Sequence, residues 1–260
     1  MGESIKITQN DDIVIIKLNR PKYFNAFDLE LVKDLFGELS GITKDDRIKG
    51  VIVTGEGKSF CAGGDLNWMI SYPSGPSAAL HQLAAYFHLA ILELRRMAKP
   101  VIAAINGIAA GGGFSLALAC DFRVMGKSAI MQQAYTSNGL CIDGGGTFVL
   151  PRIIGIAKAM EIAAFDEPIS SEKALSLGLI TKVAEDDEVM EDAIKMAFDL
   201  SNGSLHSYGW SKRLLNNSFD TPLETQLEQE RLGLETCANH PEGQEGIKAF
   251  HEKRKPSFQT

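Results

Sequence analysis

Three turns of this 260-residue chain concentrate glycine: Cys61-Ala-Gly-Gly-Asp65, Ala110-Gly-Gly-Gly-Phe114 and Asp143-Gly-Gly-Gly-Thr147. Glycine lets backbone approach backbone or ligand closely, and N–H groups at a helix start carry partial positive charge. Such turns can cradle phosphate or, where two face one point, hold negative charge developing on a carbonyl oxygen. The nucleotide readings fail on spacing, because no G-x-G-x-x-G follows a strand and no G-x-x-x-x-G-K-[ST] occurs. Carbonyl polarisation therefore stands against the plain alternative that these glycines only permit tight packing. Cys61 and Cys141 flank the turns without a histidine nearby in sequence, so they read as packing thiols rather than nucleophiles. His81 and His88, seven apart on one helix, read as a surface or half-buried helix face, with lining a pocket as the alternative, and Glu161 and Glu167 as solvated charges.

Turns of this kind need strands that run into them and helices that leave them. Ile5–Thr8 and Ile13–Leu18 read as short strands, and Gly50–Gly55 as a buried one. Asp28 opens an amphipathic helix carrying Leu31, Val32, Leu35 and Leu39 at helical spacing. A Pro/Gly/Ser loop over 71–78, read as the most mobile segment, precedes a long apolar helix from about Ala79 to Met97. A strand from Val101 enters the second glycine turn and a small-residue helix follows it. The unit of strand, glycine turn and helix thus occurs twice, around 50–66 and 101–119, which predicts an α/β fold. From about Met190 the pattern is helical, with helices over Thr221–Ala238 and Glu242–Lys253. A soft boundary near residue 200 divides a core, 1–200, from a helical segment, 201–260.

Composition narrows the partners. With 26 Lys+Arg against 33 Asp+Glu, the net charge is 26 − 33 = −7, and no basic run marks a nucleic-acid surface. No apolar stretch reaches the ~20 residues of a membrane span; Val101–Cys120 is interrupted by Asn106, Ser115 and several glycines. The N-terminus lacks the apolar region of a signal peptide, and Lys6 breaks the myristoylation pattern that Gly2 would open. Cys61, Cys120, Cys141 and Cys237 show no C-x-x-C spacing, so reduced thiols and a cytoplasmic address are expected.

Taken in order, four blocks carry a resemblance. Leu18-Asn-Arg-Pro-Lys-Tyr-Phe-Asn-Ala26 and Val53-Thr-Gly-Glu-Gly-Lys-Ser-Phe-Cys-Ala-Gly-Gly-Asp65 come first. Ile102-Ala-Ala-Ile-Asn-Gly-Ile-Ala-Ala-Gly-Gly-Gly-Phe-Ser-Leu-Ala-Leu-Ala-Cys-Asp121 is the third, and Gly144-Gly-Gly-Thr147 with Leu150-Pro-Arg152 the fourth. As a set, from about residue 5 to Phe258, the chain resembles the enoyl-CoA hydratase/isomerase (crotonase) superfamily. That resemblance implies a ClpP-like spiral of repeated ββα units and a C-terminal helical segment that packs trimers, often paired into hexamers. It also implies an acyl-CoA thioester as substrate, with coenzyme A as part of it and no metal or redox cofactor. By position it puts the two oxyanion-hole N–H groups on Gly64 and Gly112. Contacts to coenzyme A fall on Lys22, Tyr23, Ala62 and Asp65. The tail Lys253-Arg-Lys255 with Phe258 either reaches a phosphate, on a neighbouring subunit for instance, or is a solvated end.

The chain departs from the hydratase pattern where its two glutamates would stand, at Ser115 and Tyr135. Neither can activate water as a paired carboxylate. Asp143 stands where that pattern has glycine, which resembles the isomerase branch, including ring-1,2-epoxyphenylacetyl-CoA isomerases, and the nucleophilic aspartate of 4-chlorobenzoyl-CoA dehalogenases. The dehalogenase pattern has a tryptophan close after its aspartate. This chain has Phe148 there, and only Trp68, expected to cover the acyl pocket, and Trp210 elsewhere. The competing role for Asp143 is to cap the helix starting near Gly145. The expected activity is double-bond isomerisation or ring rearrangement with Asp143 as proton shuttle. A hydratase or hydrolase of a cyclic or aromatic-derived acyl-CoA, and a non-catalytic acyl-CoA-binding scaffold, are the alternatives.

Overall fold

The computed structural model describes residues 4–258; the Gly2 reading lies outside them. Strands β1 (Ile5–Asn10), β2 (Ile13–Leu18), β3 (Gly50–Gly55), β5 (Val101–Ile105), β7 (Phe122–Gly126) and β10 (Lys182–Ala184) form one sheet in the order β1-β2-β3-β5-β7-β10. It is parallel except for the β1/β2 hairpin. Its central strands are buried on both faces, as parallel sheets require. Val14, Ile16, Val51 and Val53 point into the main core, while Ile13, Ile15 and Ile52 pack on α8 (Val189–Ser201) through Val189, Ala193 and Ala197. This is the two-residue alternation of a strand read out on two hydrophobic faces.

Each glycine turn is preceded by a further short strand. β4 (Ser59–Cys61), β6 (Ile108–Ala110) and β8 (Ile130–Gln132) run parallel in a second sheet, closed by the antiparallel β9 (Ile169–Ser170). The repeating unit is therefore ββα: β3-β4, β5-β6 and β7-β8 each deliver the chain to helices. These are α2 (Leu66–Ile70) with α3 (Gly75–Arg96), then α4 (Gly112–Ala119), then α5 (Gly146–Ile154). Three-residue strands are too short to show a periodicity, which is why the sequence displayed only strand, turn and helix. Helix α1 (Leu29–Lys44), capped by the Asp28 side chain on Leu31 N–H, packs against α3. Helix α3 starts four residues earlier than its apolar pattern, because Gly75 takes a φ of +81° and Pro76 suits the first helical turn.

After α6 (Ile156–Phe165), α7 (Ser171–Ser176) and α8, the chain ends in α9 (Leu205–Asn217), α10 (Leu223–Asn239) and α11 (Pro241–His251). Helix α9 is tied to the sheet by the buried Lys212, whose Nζ pairs with Asp121 at 2.7 Å and donates to Leu94 O at 3.0 Å. Leu215, Leu223, Leu227, Leu234 and Phe250 lie exposed on these helices, and Phe219 on the turn between α9 and α10. Among the described residues no helix is long and apolar enough to cross a membrane.

Candidate active site

The first two glycine turns interlock at the level of backbone. A Cβ on Gly113 would collide with the Cys61 carbonyl, and one on Gly63, which sits at φ +92°, would come within 2.9 Å of Ala110 O. Gly63 and Gly113 therefore do the packing that glycines permit. Beside each stands a glycine of different use. The N–H groups of Gly64 and Gly112 donate to no acceptor among the described residues, and both residues line one cavity of about 250 Å³. The first turn is held by the 20–27 segment. Phe27 N–H donates to Gly63 O at 2.6 Å, Asp65 N–H to Phe27 O at 2.9 Å, and Asn25 Nδ2 to Ser59 O at 2.7 Å. Arg20 bridges Asp28 and Asp65, each at 3.0 Å.

Asp143 reaches the same cavity from the third turn. Helix α5 is capped by Gly145 without any side chain, so Asp143 is not its cap. Its backbone carbonyl accepts from Gly146 N–H at 3.0 Å and from the Ser115 hydroxyl at 2.7 Å, leaving the carboxylate free to turn into the cavity. There Oδ1 accepts the hydrogen bond of the Tyr135 phenol, and Oδ2 lies 3.4 Å from His88 Nε2. Gly144 N–H donates to that same Nε2 at 3.2 Å, which makes it an acceptor. Gly144, at φ +59°, leaves no room for a Cβ beside Phe87. Burial, then the negative charge of Asp143 and the bond to it, push the Tyr135 phenol well above its ordinary range, so it stays a donor. Apart from Asn138 and Cys141, the remaining side chains of the lining are apolar: Phe27, Leu66, Met69, Leu83, Phe87 and Leu140 are among them.

Four of the residues expected at the site, Gly64, Gly112, Ala62 and Asp143, thus meet in one space. Others go elsewhere. Asp65 is buried, accepts from Trp68 N–H at 3.1 Å and pairs with Arg20, so its carboxylate braces the first turn instead of facing a ligand. Lys22 and Tyr23 line a separate recess of about 440 Å³ with Arg20 and Glu30. Trp68 packs on Tyr72, ring centroids 5.2 Å apart, while Leu66 and Met69 of the same short helix cover the cavity in its place. In the tail, Arg254 is held by Glu245 at 2.6 Å and Glu252 at 2.7 Å. Glu161 pairs with Lys158 on the surface and Glu167 is exposed, as solvated charges do. Cys61 is fully buried, its thiol pushed up to about 12 by that burial, whereas Cys141 lines the cavity mouth.

Two site residues escaped the sequence reading. His88 was expected on a surface or half-buried helix face, with a pocket-lining role as the lesser reading; half-exposed, it touches Asp143 across 55 positions of chain. No local signal could have announced that contact. Tyr135 was weighed only as a missing acid; its place at an expected acid position was itself a signal that a polar group stands in the site.

The profile of the enoyl-CoA hydratase/isomerase family matches residues 8–260. The chain is similar to a 1,2-epoxyphenylacetyl-CoA isomerase of Escherichia coli K12, 35% identical over 247 residues, covering 95% of this chain and 94% of that one. It is also similar to a 4-chlorobenzoyl coenzyme A dehalogenase of an Arthrobacter species, 30% identical over 96% of this chain and 91% of the relative. Among solved structures, an enoyl-CoA hydratase from Polaromonas sp. JS666 superposes with a TM-score of 0.92 at 36% identity, covering 97% and 98% of the two chains.

Proposed function

The chain belongs to the enoyl-CoA hydratase/isomerase family, and from that premise we propose that it shifts a double bond, or rearranges a ring, in an enoyl-CoA thioester. The observation that carries this reading is a single carboxylate, Asp143, among the residues lining the cavity. Ser115 and Tyr135, at the two positions of the hydratase acids, serve Asp143 by hydrogen bonds instead.

In the proposed reaction the thioester oxygen accepts from Gly64 and Gly112 N–H, and the acyl group lies along the apolar wall formed by Leu83 and Phe87. Negative charge passing to that oxygen makes the C2 proton acidic. One oxygen of Asp143 takes the proton, the electron pair moves into the enolate, and its collapse draws the same proton back at C4. One carboxylate serves both steps, so no second acid is needed and no metal or redox group enters. Each backbone donor of such a hole typically contributes about 3–4 kcal/mol to the transition state. Tyr135 aims the carboxylate. Ala62 lies near the adenine and pantetheine path, and Lys22 and Tyr23 contact coenzyme A from the loop after β2. The exposed apolar residues of α9 to α11 exceed what a lone chain leaves in water, which supports a trimer or hexamer; light scattering at micromolar concentration that returned a monomer would oppose it.

A second reading, hydration or hydrolysis with Asp143 activating water, draws on one observation. His88 Nε2, 3.4 Å from Oδ2, puts a second basic nitrogen beside the carboxylate. Turnover of a panel of enoyl-CoAs in heavy-oxygen water separates the readings by mass. Isomerisation leaves the thioester mass unchanged, hydration adds one labelled water, and hydrolysis releases free coenzyme A. Saturable binding with none of these would return the chain to a binding role.

A further inference from the structure

A second cavity, about 610 Å³, opens between the C-terminal end of α3, the start of α5 and α9. Its lining has two characters. Arg95, Arg96 and Arg213 bring three guanidinium groups, with Asn216 and Asn217 beside them; Ile91, Leu92, Phe148 and Val149 form an apolar wall. None of the lining residues is acidic, in a chain whose net charge is −7. Two acids of the flanking segments pair with other cations: Asp121 with Lys212 at 2.7 Å and Asp220 with Arg152 at 3.4 Å.

The arginines are only partly occupied by the chain itself. Arg95 donates to Asn216 Oδ1, and Arg213 stands over the Trp210 ring at 5.3 Å. Arg96 is exposed, with no ion-pair partner among the described residues. Arg152 stacks on the lining Phe148, 3.4 Å from the ring centroid, and its buried Nε finds no acceptor. Burial holds Arg95 below the ordinary arginine range, against the opposing negative charge of Asp121.

We propose that this cavity binds a small amphiphilic anion, a carboxylate on a short apolar body, with its head between Arg96 and Arg213 and its body along Leu92 and Phe148. A guanidinium fork matches the two oxygens of a carboxylate and is weakly hydrated, so the pair forms at modest desolvation cost. The apolar wall gives the body a place that a bare inorganic anion would leave wet. The site is separate from the catalytic cavity: Arg96, Arg213, Leu92 and Phe148 do not line that space, and Asp143, Gly64 and Gly112 do not line this one.

Calorimetric titration of the full chain, in its native assembly, with octanoate, octan-1-ol and inorganic phosphate tests the proposal. Octanoate should saturate in the millimolar range, with octan-1-ol and phosphate each at least about tenfold weaker, since each lacks one half of the recognised chemistry. The double variant Arg96→Gln/Arg213→Gln should weaken octanoate by about tenfold or more, with thermal unfolding showing that it is folded. Asn217→Asp, which puts an exposed carboxylate at the cavity, should weaken it without removing a cation. Octanoate binding unchanged in both variants places it elsewhere and overturns the proposal. So does phosphate binding as tightly as octanoate, or no saturation at all, as when a second copy of the chain covers the cavity.

Discussion

The phenol of Tyr135 donates its hydrogen bond to Oδ1 of Asp143, and these two side chains, eight positions apart, share the cavity with Gly64 and Gly112. A hydrogen bond to a charged group is worth about 1.5–3 kcal/mol. Tyr135→Phe keeps the ring and removes the donor, so isomerase kcat should fall by roughly tenfold to a hundredfold with KM little changed. An unchanged kcat would reduce Tyr135 to a packing residue.

Ser115 is buried, with its hydroxyl on the Asp143 carbonyl at 2.7 Å, and Tyr135 is occupied as described. Crotonyl-CoA hydration needs a pair of acids in the positions these two residues fill. Purified enzyme should therefore form 3-hydroxybutyryl-CoA at least about 10²-fold more slowly than it isomerises its best substrate. Comparable rates in one assay would put the chain among the hydratases.

Acid should loosen the C-terminal helices. His206 and His240 stack with centroids 3.9 Å apart and rings 2° from parallel, and His206 Nε2 is buried without an acceptor. Burial, then the neighbouring His240, lowers the His206 pKa below its ordinary 6.5. Protonation thus favours the unfolded chain: the stability this residue contributes is present above pH 6.5 and is lost as pH falls toward the lower folded value. The thermal midpoint should drop between pH 7 and 5, and His206→Asn should flatten that slope. A slope identical in the variant assigns the acid sensitivity to other groups.

How far these features could be read from residues alone depended on their range. The strand IVIIKL and the helix opened by Asp28 are written locally, in β-branched runs and helical spacing, and both stand where that pattern puts them. The strands β4 and β6 are three residues long and exist because neighbours pair with them, so no periodicity could show them. Within the site, Gly64, Gly112 and Asp143 were legible because whole blocks around them resemble a family. The same blocks put Asp65 among the contacts to coenzyme A, and a block match cannot say that Arg20 and Trp68 N–H occupy its carboxylate. The approach of His88 to Asp143 is made by packing α3 against the third turn, and nothing local encodes it.

The central claim is that Asp143 carries the proton between two carbons of one acyl group. Asp143→Asn keeps the size of the side chain and can still accept from Tyr135, but it cannot take that proton. The measurement is kcat for isomerisation of the preferred enoyl-CoA by Asp143→Asn and by the parent, alongside thioester affinity, after circular dichroism and light scattering show the same fold and assembly. A loss of about 10²–10⁴-fold in kcat with affinity retained is the predicted result. Turnover close to that of the parent would contradict it.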